Sequence, residues 1–459
     1  MTTRNETVKD TASPFVAYTW LVIAVAALAA ISNVAGEEIL RRLASIDDAT
    51  TAPVLAALAL FAVCSFASAY ATRGTPLPSF VVAIVLGIAG HTLFSPIVAN
   101  STVLASLVTA SAAVILFSGG LEMPLREFAR LFIKIALLAF PGVLVTGYAF
   151  SQVIAYLGPA FGRPIVPAVV ILLGAILAST DPAAIIPVLQ GVKFKRRTAK
   201  DIVIAESALN DVVGTLLTSA FFKLSLAALA VGAAYRALAT PETYGFLARQ
   251  VGFGVLFGLI GFALLHILSR IKRNHTESYG ADQVYFLGAP IVTFVGASAF
   301  GGSGFLAAFL AGLFFKGEEH MAEIERFFYQ VIDGVAKPVI FLLVGALVDV
   351  HALIAYAPVG IAAALIFMFV IRPVMVFLML GVYGFVPKHP RGLTFKELLF
   401  ISFVRETGAI PAVLLVTAIG RMTTPVNGLV EIGMWVILLT LVLAPPLTPL
   451  VARKLGIAE

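Results

Sequence analysis

The sequence predicts an all-α polytopic membrane protein, on the basis of its composition, its recurrent apolar segments and the placement of its basic residues. Of the 459 residues, 60% are hydrophobic and only 12% are charged, and the mean hydropathy is +1.01. Soluble domains carry about 25% charged residues, so a soluble core cannot accommodate this much apolar surface. The composition therefore leaves no room for a separate soluble domain and indicates many membrane-spanning helices.

We predict thirteen or fourteen transmembrane helices from the apolar segments. A helix that crosses a bilayer needs about 20 mainly apolar residues, and such segments recur along the whole chain. The first is interpreted as a retained helix rather than a cleaved signal peptide, because the residues before it carry mixed charges. The candidate spans are 14–34, 53–72, 77–96, 101–122, 131–157, 165–190, 201–222, 244–271, 279–300, 302–316, 333–350, 353–383, 397–419 and 426–450.

Basic residues indicate which loops lie on the cytoplasmic side. The net charge is +6, and in a membrane protein such an excess marks cytoplasmic loops, so we expect no nucleic-acid partner. With the spans above, every strongly basic segment falls on one side of the membrane, together with both termini. These segments are 125–130, 193–200, 269–275 and 387–396.

The two halves of the chain resemble each other weakly, and the matching segments are offset by about 225 residues. In the predicted topology the two copies of each segment cross the membrane in opposite directions. An inverted repeat of this kind is the architecture of many secondary transporters. The matching pairs are 80–91 with 305–316, 115–123 with 340–348, and 181–189 with 406–416.

Each half contains an apolar segment that proline interrupts beside a charged residue. The first interruption is Thr180-Asp181-Pro182, and the second covers 405–408 with Pro411 close behind. Proline frees backbone groups, which are tolerated at membrane depth only where they face protein or a water-filled cavity. In inverted-repeat transporters the ion site lies where such interrupted helices meet. We therefore predict crossed, interrupted helices that form a site.

The span after the first interruption places four polar residues within an apolar helix. Ser207 and Asp211 share one face of this helix, and Glu206 and Asn210 share the neighbouring face. Ionisable residues inside a membrane are candidates for a functional site. This span is therefore expected to contribute directly to the site at the interruption.

These residues predict a site for a monovalent cation. Such an ion needs oxygen ligands and negative charge, which Asp211, Asp181, the Ser207 hydroxyl and a freed carbonyl near Thr180 would supply. A carboxylate removed from bulk water can hold a proton in place of a metal ion. Competition for one carboxylate would couple the two ions in opposite directions.

Two arginines within apolar spans require partners, because an unpaired buried charge is costly. Glu206 is the expected partner of Arg372. Arg405 is expected to complement the carbonyl end of a half-helix, or to pair with Glu406 or another acid. The arginines are therefore interpreted as structural support for the site.

Four motifs, taken in order, resemble the signatures of the cation–proton antiporter superfamily. The Asn210-Asp211 pair resembles the electroneutral sodium/proton exchanger branch in particular. The chain departs from the family pattern at Ser118, where an acid is common, and at Glu406, where glycine often follows the arginine. The motifs are "STDPAAIIPVL" (179–189), "AESALNDVVG" (205–214), "FVIRPVMVF" (369–377) and "FVRETGAIPAVLL" (403–415).

The resemblance implies two inverted six-helix repeats around a linker helix, with a dimer interface and a moving core domain. On this basis residues 1–52 form an N-terminal helix and outer loop, 53–222 the first repeat, 223–278 the linker segment and helix, and 279–459 the second repeat. The protein is accordingly expected to be a homodimer embedded in a lipid bilayer.

The resemblance also assigns roles to the site residues. It implies that Asp211 binds both the cation and the proton, and that Asn210 holds the crossed helices together. Thr180, Asp181 and Ser207 match ligand positions of the family. The positions of Glu206 and Arg372 match a structural ion pair.

We therefore predict a secondary active transporter of the bacterial inner membrane. It is expected not to be an enzyme and to need no cofactor. It exchanges a monovalent cation, most readily Na⁺ but alternatively Li⁺ or K⁺, for H⁺ by alternating access and without net charge movement. A K⁺/H⁺ antiporter of the same fold and a sodium-coupled organic anion symporter remain alternatives. An intramembrane aspartyl protease fits less well, because Asp211 lacks the Gly-x-Gly-Asp context of that class.

Three further features receive structural interpretations. Cys64 is expected to be a small buried hydrophobic residue. The six histidines show no spacing typical of a metal site. The amphipathic segment 318–332 is predicted to be an interfacial helix that links two spans.

Overall fold

The fold was analysed in a computed structural model of the chain. The structure describes residues 14–46, 51–72, 78–180, 188–189, 191–224, 226, 229–274, 280–316, 319–384, 392–422 and 426–459. Within these residues every regular element is a helix, apart from one isolated β-bridge between Phe194 and Ala458. The all-α fold class predicted from the sequence is therefore confirmed.

Twenty-one α-helices are present in this part of the chain, and two of them are entered through a five-residue π-helix. The π-helices are Ile332–Ala336 and Phe367–Ile371. The α-helices are α1 Pro14–Ile46, α2 Thr51–Ala71, α3 Ser79–Ala89, α4 His91–Val98, α5 Ser101–Leu121, α6 Leu125–Ala139, α7 Pro141–Ala160, α8 Pro167–Leu177, α9 Thr198–Lys223, α10 Val231–Ala237, α11 Pro241–Asn274, α12 Gly280–Ala299, α13 Gly304–Phe314, α14 Ala322–Val331, α15 Lys337–Ala346, α16 Val350–Ala355, α17 Ala357–Ile366, α18 Arg372–Gly384, α19 Phe395–Phe403, α20 Ala409–Arg421 and α21 Leu429–Lys454.

Several helices begin where the local sequence supplies a cap. The Asn100 side chain accepts a hydrogen bond from the Val103 amide at the start of α5, and Ser303 caps α13 in the same way. Thr394 and Glu397 form a reciprocal capping box at the start of α19. Such caps satisfy amides that have no partner within the helix.

The predicted spans coincide with helices, although some spans are bent or broken. In the described part of the chain, nine helices are long and apolar enough to cross a membrane, or ten if the bent pair α3–α4 counts as one span. Three shorter apolar helices, α8, α13 and α20, also fall in predicted spans. The thirteen or fourteen spans predicted from the sequence therefore include elements that are too short to cross the membrane alone.

Two predicted segments differ from the structure. The predicted span 77–96 bends by 92° between α3 and α4, with Gly90 between the two helices. The predicted span 131–157 lies within one candidate membrane span, Leu125–Ala160, although Pro141 starts a new helix inside it. The segment 318–332 is not a separate helix, since α14 continues through Ile332–Ala336 into α15 as one element of 25 residues.

Both π-helices end immediately before an X-Pro sequence. Proline lacks an amide hydrogen and crowds the carbonyl four residues earlier, so a wider turn relieves the contact. Gly334 is four residues before Pro338, and its freed carbonyl accepts a hydrogen bond of 2.6 Å from the Ser65 hydroxyl of α2. The second π-helix directly precedes Arg372, one of the predicted site residues.

Glycines bring α3 and α15 into backbone contact. A Cβ atom at Gly87 would overlap the carbonyl oxygen of Leu342, and one at Gly345 would overlap that of Ile84. Only residues without a side chain permit this approach. The residues that α3 and α15 bury are otherwise apolar, so this crossing depends on shape alone.

The crossing of α5 with α13 repeats this arrangement. A Cβ atom at Gly120 would overlap the carbonyl oxygen of Phe309, and one at Gly312 would overlap that of Phe117. The residues of the two crossings correspond at an offset of 225 positions, as the internal sequence match predicts. The corresponding pairs are Ile84 and Phe309, Gly87 and Gly312, Phe117 and Leu342, and Gly120 and Gly345. The repeat inferred from the sequence is therefore present in the packing of the helices.

Candidate ion-binding site

The candidate site lies where α9 passes two interrupted helices. The helix α8 ends at Leu177, three residues before Thr180, and the helices α19 and α20 are separated by the non-helical residues 404–408. Helix α9 packs against α8, α19 and α20. The structure thus places Thr180, the described residue of the first predicted interruption, against the same helix that packs beside the second interruption. Asp181, a predicted ligand, lies outside the described residues.

The described ligand candidates are all buried. Asp211 is 1% exposed, Ser207 is 3% exposed and Thr180 is 2% exposed. Asp211 lies thirteen residues after the start of α9, which corresponds to a rise of about 20 Å. In a hydrocarbon core of about 30 Å, that distance places the carboxylate well inside the membrane.

Asn210 connects α9 to the end of the first interrupted segment. Its side-chain amide donates hydrogen bonds to the Thr180 hydroxyl at 3.3 Å and to the Glu206 carboxylate at 2.9 Å. The side chain is 1% exposed. These contacts are those expected of a residue that holds crossed helices together, and that role stays a prediction.

Glu206 and Arg372 form a buried ion pair between the two repeats. Both terminal nitrogens of the guanidinium donate to the carboxylate, one of them at 2.7 Å. The two side chains are at most 1% exposed. The same guanidinium donates to the Ile401 carbonyl at 3.2 Å, close to the end of α19. The pair predicted from the sequence is therefore present, with a geometry in which each charge compensates the other.

Arg405 contacts the carbonyl end of α8. Its guanidinium donates to the carbonyl oxygens of Leu177 at 2.8 Å and Ala178 at 3.0 Å. It also lies over the Phe367 ring, 4.2 Å from the centroid. The arrangement expected at the carbonyl end of a half-helix is therefore present. Each interrupted helix therefore ends against a guanidinium, which satisfies free carbonyls and the negative end of the helix dipole.

Sequence reasoning left Glu406 and Thr407 out of the site, yet both are buried at the second interruption. Glu406 is 1% exposed. The backbone amide of Thr407 donates a hydrogen bond of 3.1 Å to the Thr440 hydroxyl of α21. The internal repeat carried a signal for Glu406, because it occupies in the second half the position of Asp181 in the first.

Five charged side chains of the site are buried. Each is at most 1% exposed: Glu206, Asp211, Arg372, Arg405 and Glu406. The described part of the site thus contains three acidic and two basic side chains. With all five ionised, one negative charge remains for a bound cation or proton.

A cavity of about 730 Å³ leads towards α9 from the side predicted to be cytoplasmic. Glu122 at the end of α5 and Arg130 of α6 contribute to its wall, together with Arg197 and Lys200. Its lining also includes Ala205, the residue before Glu206. The cavity therefore reaches within two turns of Asp211 along α9.

In the part of the chain that the structure describes, no group of three or more His, Cys, Asp or Glu side chains could hold a metal ion.

Comparisons with known proteins identify similar sequences. A family described as "Sodium/hydrogen exchanger, transmembrane" matches residues 56–454. The K(+)/H(+) antiporter NhaP of Alkalimonas amylolytica is 29% identical over 345 residues, which are 73% of this chain and 55% of that protein. Na(+)/H(+) antiporter 1 of Methanocaldococcus jannaschii is 27% identical over 329 residues, 66% of this chain and 68% of that protein. The match thus spans about half the length of the first relative.

A solved structure has a similar fold. The sodium proton antiporter MjNhaP1 from Methanocaldococcus jannaschii at pH 8 aligns with a TM-score of 0.66 and 23% sequence identity. The alignment covers 88% of this chain and 99% of that one. At this level of identity the comparison supports the architecture of helices described above.

Proposed function

The chain belongs to the sodium/hydrogen exchanger family, and we propose that it is a secondary active transporter that exchanges a monovalent cation for a proton by alternating access. The observation that carries this proposal is the position of Asp211. This carboxylate is 1% exposed on α9, at the point where that helix crosses both interrupted segments. A carboxylate buried this far from bulk water is expected at a site that binds and releases an ion.

Asp211 is the proposed shared site for the cation and the proton. Ser207 lies one turn earlier on α9, and Thr180 lies at the facing interruption, so their hydroxyl oxygens complete a ligand set. Asp181 is proposed as a further ligand from its place in the sequence. When a proton occupies Asp211, the charge that offsets dehydration of the cation is lost, so the two ions exclude each other.

The neighbouring residues keep this carboxylate available. Arg372 compensates Glu206, and Arg405 is engaged by the carbonyl end of α8. Asn210 links α9 to the interruption. If one proton replaces one cation, no net charge crosses the membrane, and the exchange is electroneutral.

The larger organisation is proposed from the family. Residues 53–222 and 279–459 form the two inverted repeats, and 223–278 form the linker. The helices around the interruptions constitute the moving core, while the glycine crossings belong to a fixed scaffold. We propose that the protein acts as a homodimer in a bacterial inner membrane, with its 730 Å³ cavity facing the cytoplasm.

The transported cation is proposed to be Na⁺, with K⁺ as the alternative and Li⁺ as a further candidate. The named relatives include one K⁺/H⁺ and one Na⁺/H⁺ antiporter. Selectivity depends on cavity size and ligand number. Purified protein in liposomes that contain a pH-sensitive dye should show proton movement on addition of the chloride salt of the transported cation.

The matched control for this assay is Asp211→Asn, which retains the shape of the side chain but cannot carry a charge. It should fold and show no exchange. Absence of proton movement in the parent protein with all three cations would overturn the proposal. Cation movement that requires an organic anion would indicate a symporter instead.

A further inference from the structure

Two buried hydroxyls of the described helices lack the contact that others of their kind make. A serine or threonine inside a helix can satisfy its hydroxyl on a carbonyl three or four residues earlier. In this protein Ser68, Ser118, Thr215, Thr293, Ser402, Thr440 and Thr448 do so. The hydroxyls of Thr146 in α7 and Thr218 in α9 have no hydrogen-bond partner in the described part of the chain. Because a buried hydroxyl without a partner is costly, each invites an explanation.

Thr218 lies on the helix face that carries the proposed ligands. It follows Asp211 by seven residues and Ser207 by eleven, and both spacings return to the same side of a helix. Thr215, which is also buried, lies on this side as well. Seven residues correspond to a rise of about 10 Å, directed away from the basic segment 193–200 that is predicted to be cytoplasmic. Polar groups therefore continue from Asp211 into the outer half of α9.

The neighbouring contacts place Thr218 opposite the outer half of α20. One turn further along α9, the Phe222 ring lies 5.3 Å from the Arg421 guanidinium at the end of α20. Both helices run from the crossing to these ends. One turn inward from Arg421, Thr417 is therefore at the height of Thr218. Thr417 is partly exposed, whereas Thr218 is 0% exposed. The two threonines thus lie between Asp211 and the outer surface.

The described cavity approaches Asp211 from the opposite side. Its lining includes Ala205, which precedes Asp211 on α9. Alternating access requires a second route that opens outwards when the cytoplasmic one closes. A cation on that route loses water before it reaches the carboxylate, and oxygen atoms of the protein must replace the lost hydration. The Thr218 hydroxyl is free to supply such an oxygen.

We propose that Thr218 binds the transported cation in the outer half of the pathway, where its hydroxyl oxygen coordinates the ion between the outer surface and Asp211 in the outward-open state. This inference rests on the proposed exchange function and adds an outer subsite to it. Thr417 borders the entrance to this subsite. The subsite forms only in the outward-open state, because Thr218 is enclosed while the cytoplasmic cavity is open.

The test presents Na⁺ to one face of the membrane at a time. Right-side-out and inside-out vesicles are prepared from cells that produce the protein and lack their own sodium/proton exchangers. Thr218→Val should raise the apparent KM for Na⁺ at the outer face by about fivefold, the effect of losing one oxygen contact. At the cytoplasmic face the KM should stay within about twofold of the parent. Thr218→Ser keeps the hydroxyl and should retain the parent KM at both faces.

The melting temperature separates ion binding from packing. Thr218→Val removes a hydroxyl that has no partner in the described residues and leaves the outline of the side chain unchanged. The purified variant should therefore melt at or above the temperature of the parent. Thr146→Val is the matched control, because its hydroxyl is equally buried and unpartnered but belongs to α7. This control should melt in the same way and leave the KM unchanged at both faces.

A thiol at position 218 gives a second readout that does not depend on the KM. Cys64 is the only cysteine of the chain, so Thr218→Cys is made together with Cys64→Ser. A small positively charged thiol reagent added at the outer face should modify the introduced thiol, and Na⁺ should slow this reaction. Thr146→Cys in the same background should not react.

Several results would overturn the inference. A KM raised equally at both faces would mean that Thr218 acts on the Asp211 site itself. A lower melting temperature with an unchanged KM would assign the hydroxyl to packing. If Thr218→Val does not fold, failure of the reagent to reach Thr218→Cys from outside would still exclude the route. Absence of exchange by the parent defeats the proposed function, whereas exchange by the parent with an unchanged outer KM in Thr218→Val defeats this inference alone.

Discussion

Two sets of helix crossings occur in this protein, and they are built from opposite chemistry. The crossings of α3 with α15 and of α5 with α13 bring backbones together through glycine and bury mainly apolar side chains. The crossing of α9 with the interrupted helices buries three acidic and two basic side chains. Both sets follow the same internal repeat, so they differ in chemistry although the helices of the two halves are arranged in the same way.

The glycine crossings have remained symmetric, whereas the charged crossing has diverged. Gly87 and Gly120 match glycines in the second repeat, at positions 312 and 345. At the interruptions, Thr180 is matched by Arg405, so a candidate ligand in one repeat corresponds to a supporting guanidinium in the other. The comparison associates tight backbone packing with the symmetric part and the proposed ion binding with the asymmetric part.

The largest effect on stability is expected where a buried charge loses its partner. Arg372→Ala leaves Glu206 uncompensated, and breaking such a pair costs about 3–5 kcal/mol. Glu206→Ala should be similarly harmful, and the double variant should lose less than the two single losses added together. Thermal melting of the purified variants measures all three. Additive losses would show that the ion pair does not stabilise the charged crossing and would weaken the contrast with the glycine crossings.

The next largest effect is expected at the glycine crossings. Gly120→Ala places a Cβ atom against the backbone of α13, which cannot move aside like a flexible side chain, so a cost of about 3 kcal/mol is expected. Gly252→Ala in α11 is the matched control, because nothing lies within 4 Å of its Cβ position. That control should be neutral or slightly stabilising. Equal melting temperatures for the two variants would contradict the close approach.

Much of this contrast could be predicted from the sequence. Apolar segments and basic loops predicted the helices, and the need to compensate buried charge predicted the contacts of Arg372 and Arg405. The bend at Gly90 and the π-helix before Arg372 were not predicted. Pro373 is visible in the sequence, but a proline does not by itself show whether a helix kinks, ends or widens into a π-turn. The burial of Glu406 was missed for a different reason. Its position in the repeat was visible, but only the packing of α9 against the interruption shows that the fold encloses it.

A smaller effect is expected from the contact between Thr180 and Asn210. Thr180→Val removes the acceptor of a 3.3 Å hydrogen bond from Asn210 and one hydroxyl of the proposed ligand set. We expect a loss of about 1 kcal/mol in stability and a higher KM for the cation. Thr180→Ser keeps the hydroxyl and should retain the parent KM. If Thr180→Val and Thr180→Ser behave alike in the liposome assay, the hydroxyl has no part in binding.

The most direct test of a shared carboxylate is the apparent KM for Na⁺ as the pH on the cation side is lowered, with the opposite side held constant. Because a proton on Asp211 removes the charge that binds the metal ion, the KM should rise by about tenfold per pH unit in the range where the carboxylate is protonated. The maximal rate should change much less, and Asp211→Asn should show no exchange at any pH. A KM that is independent of pH across the active range, or near-normal exchange by Asp211→Asn, would contradict the account.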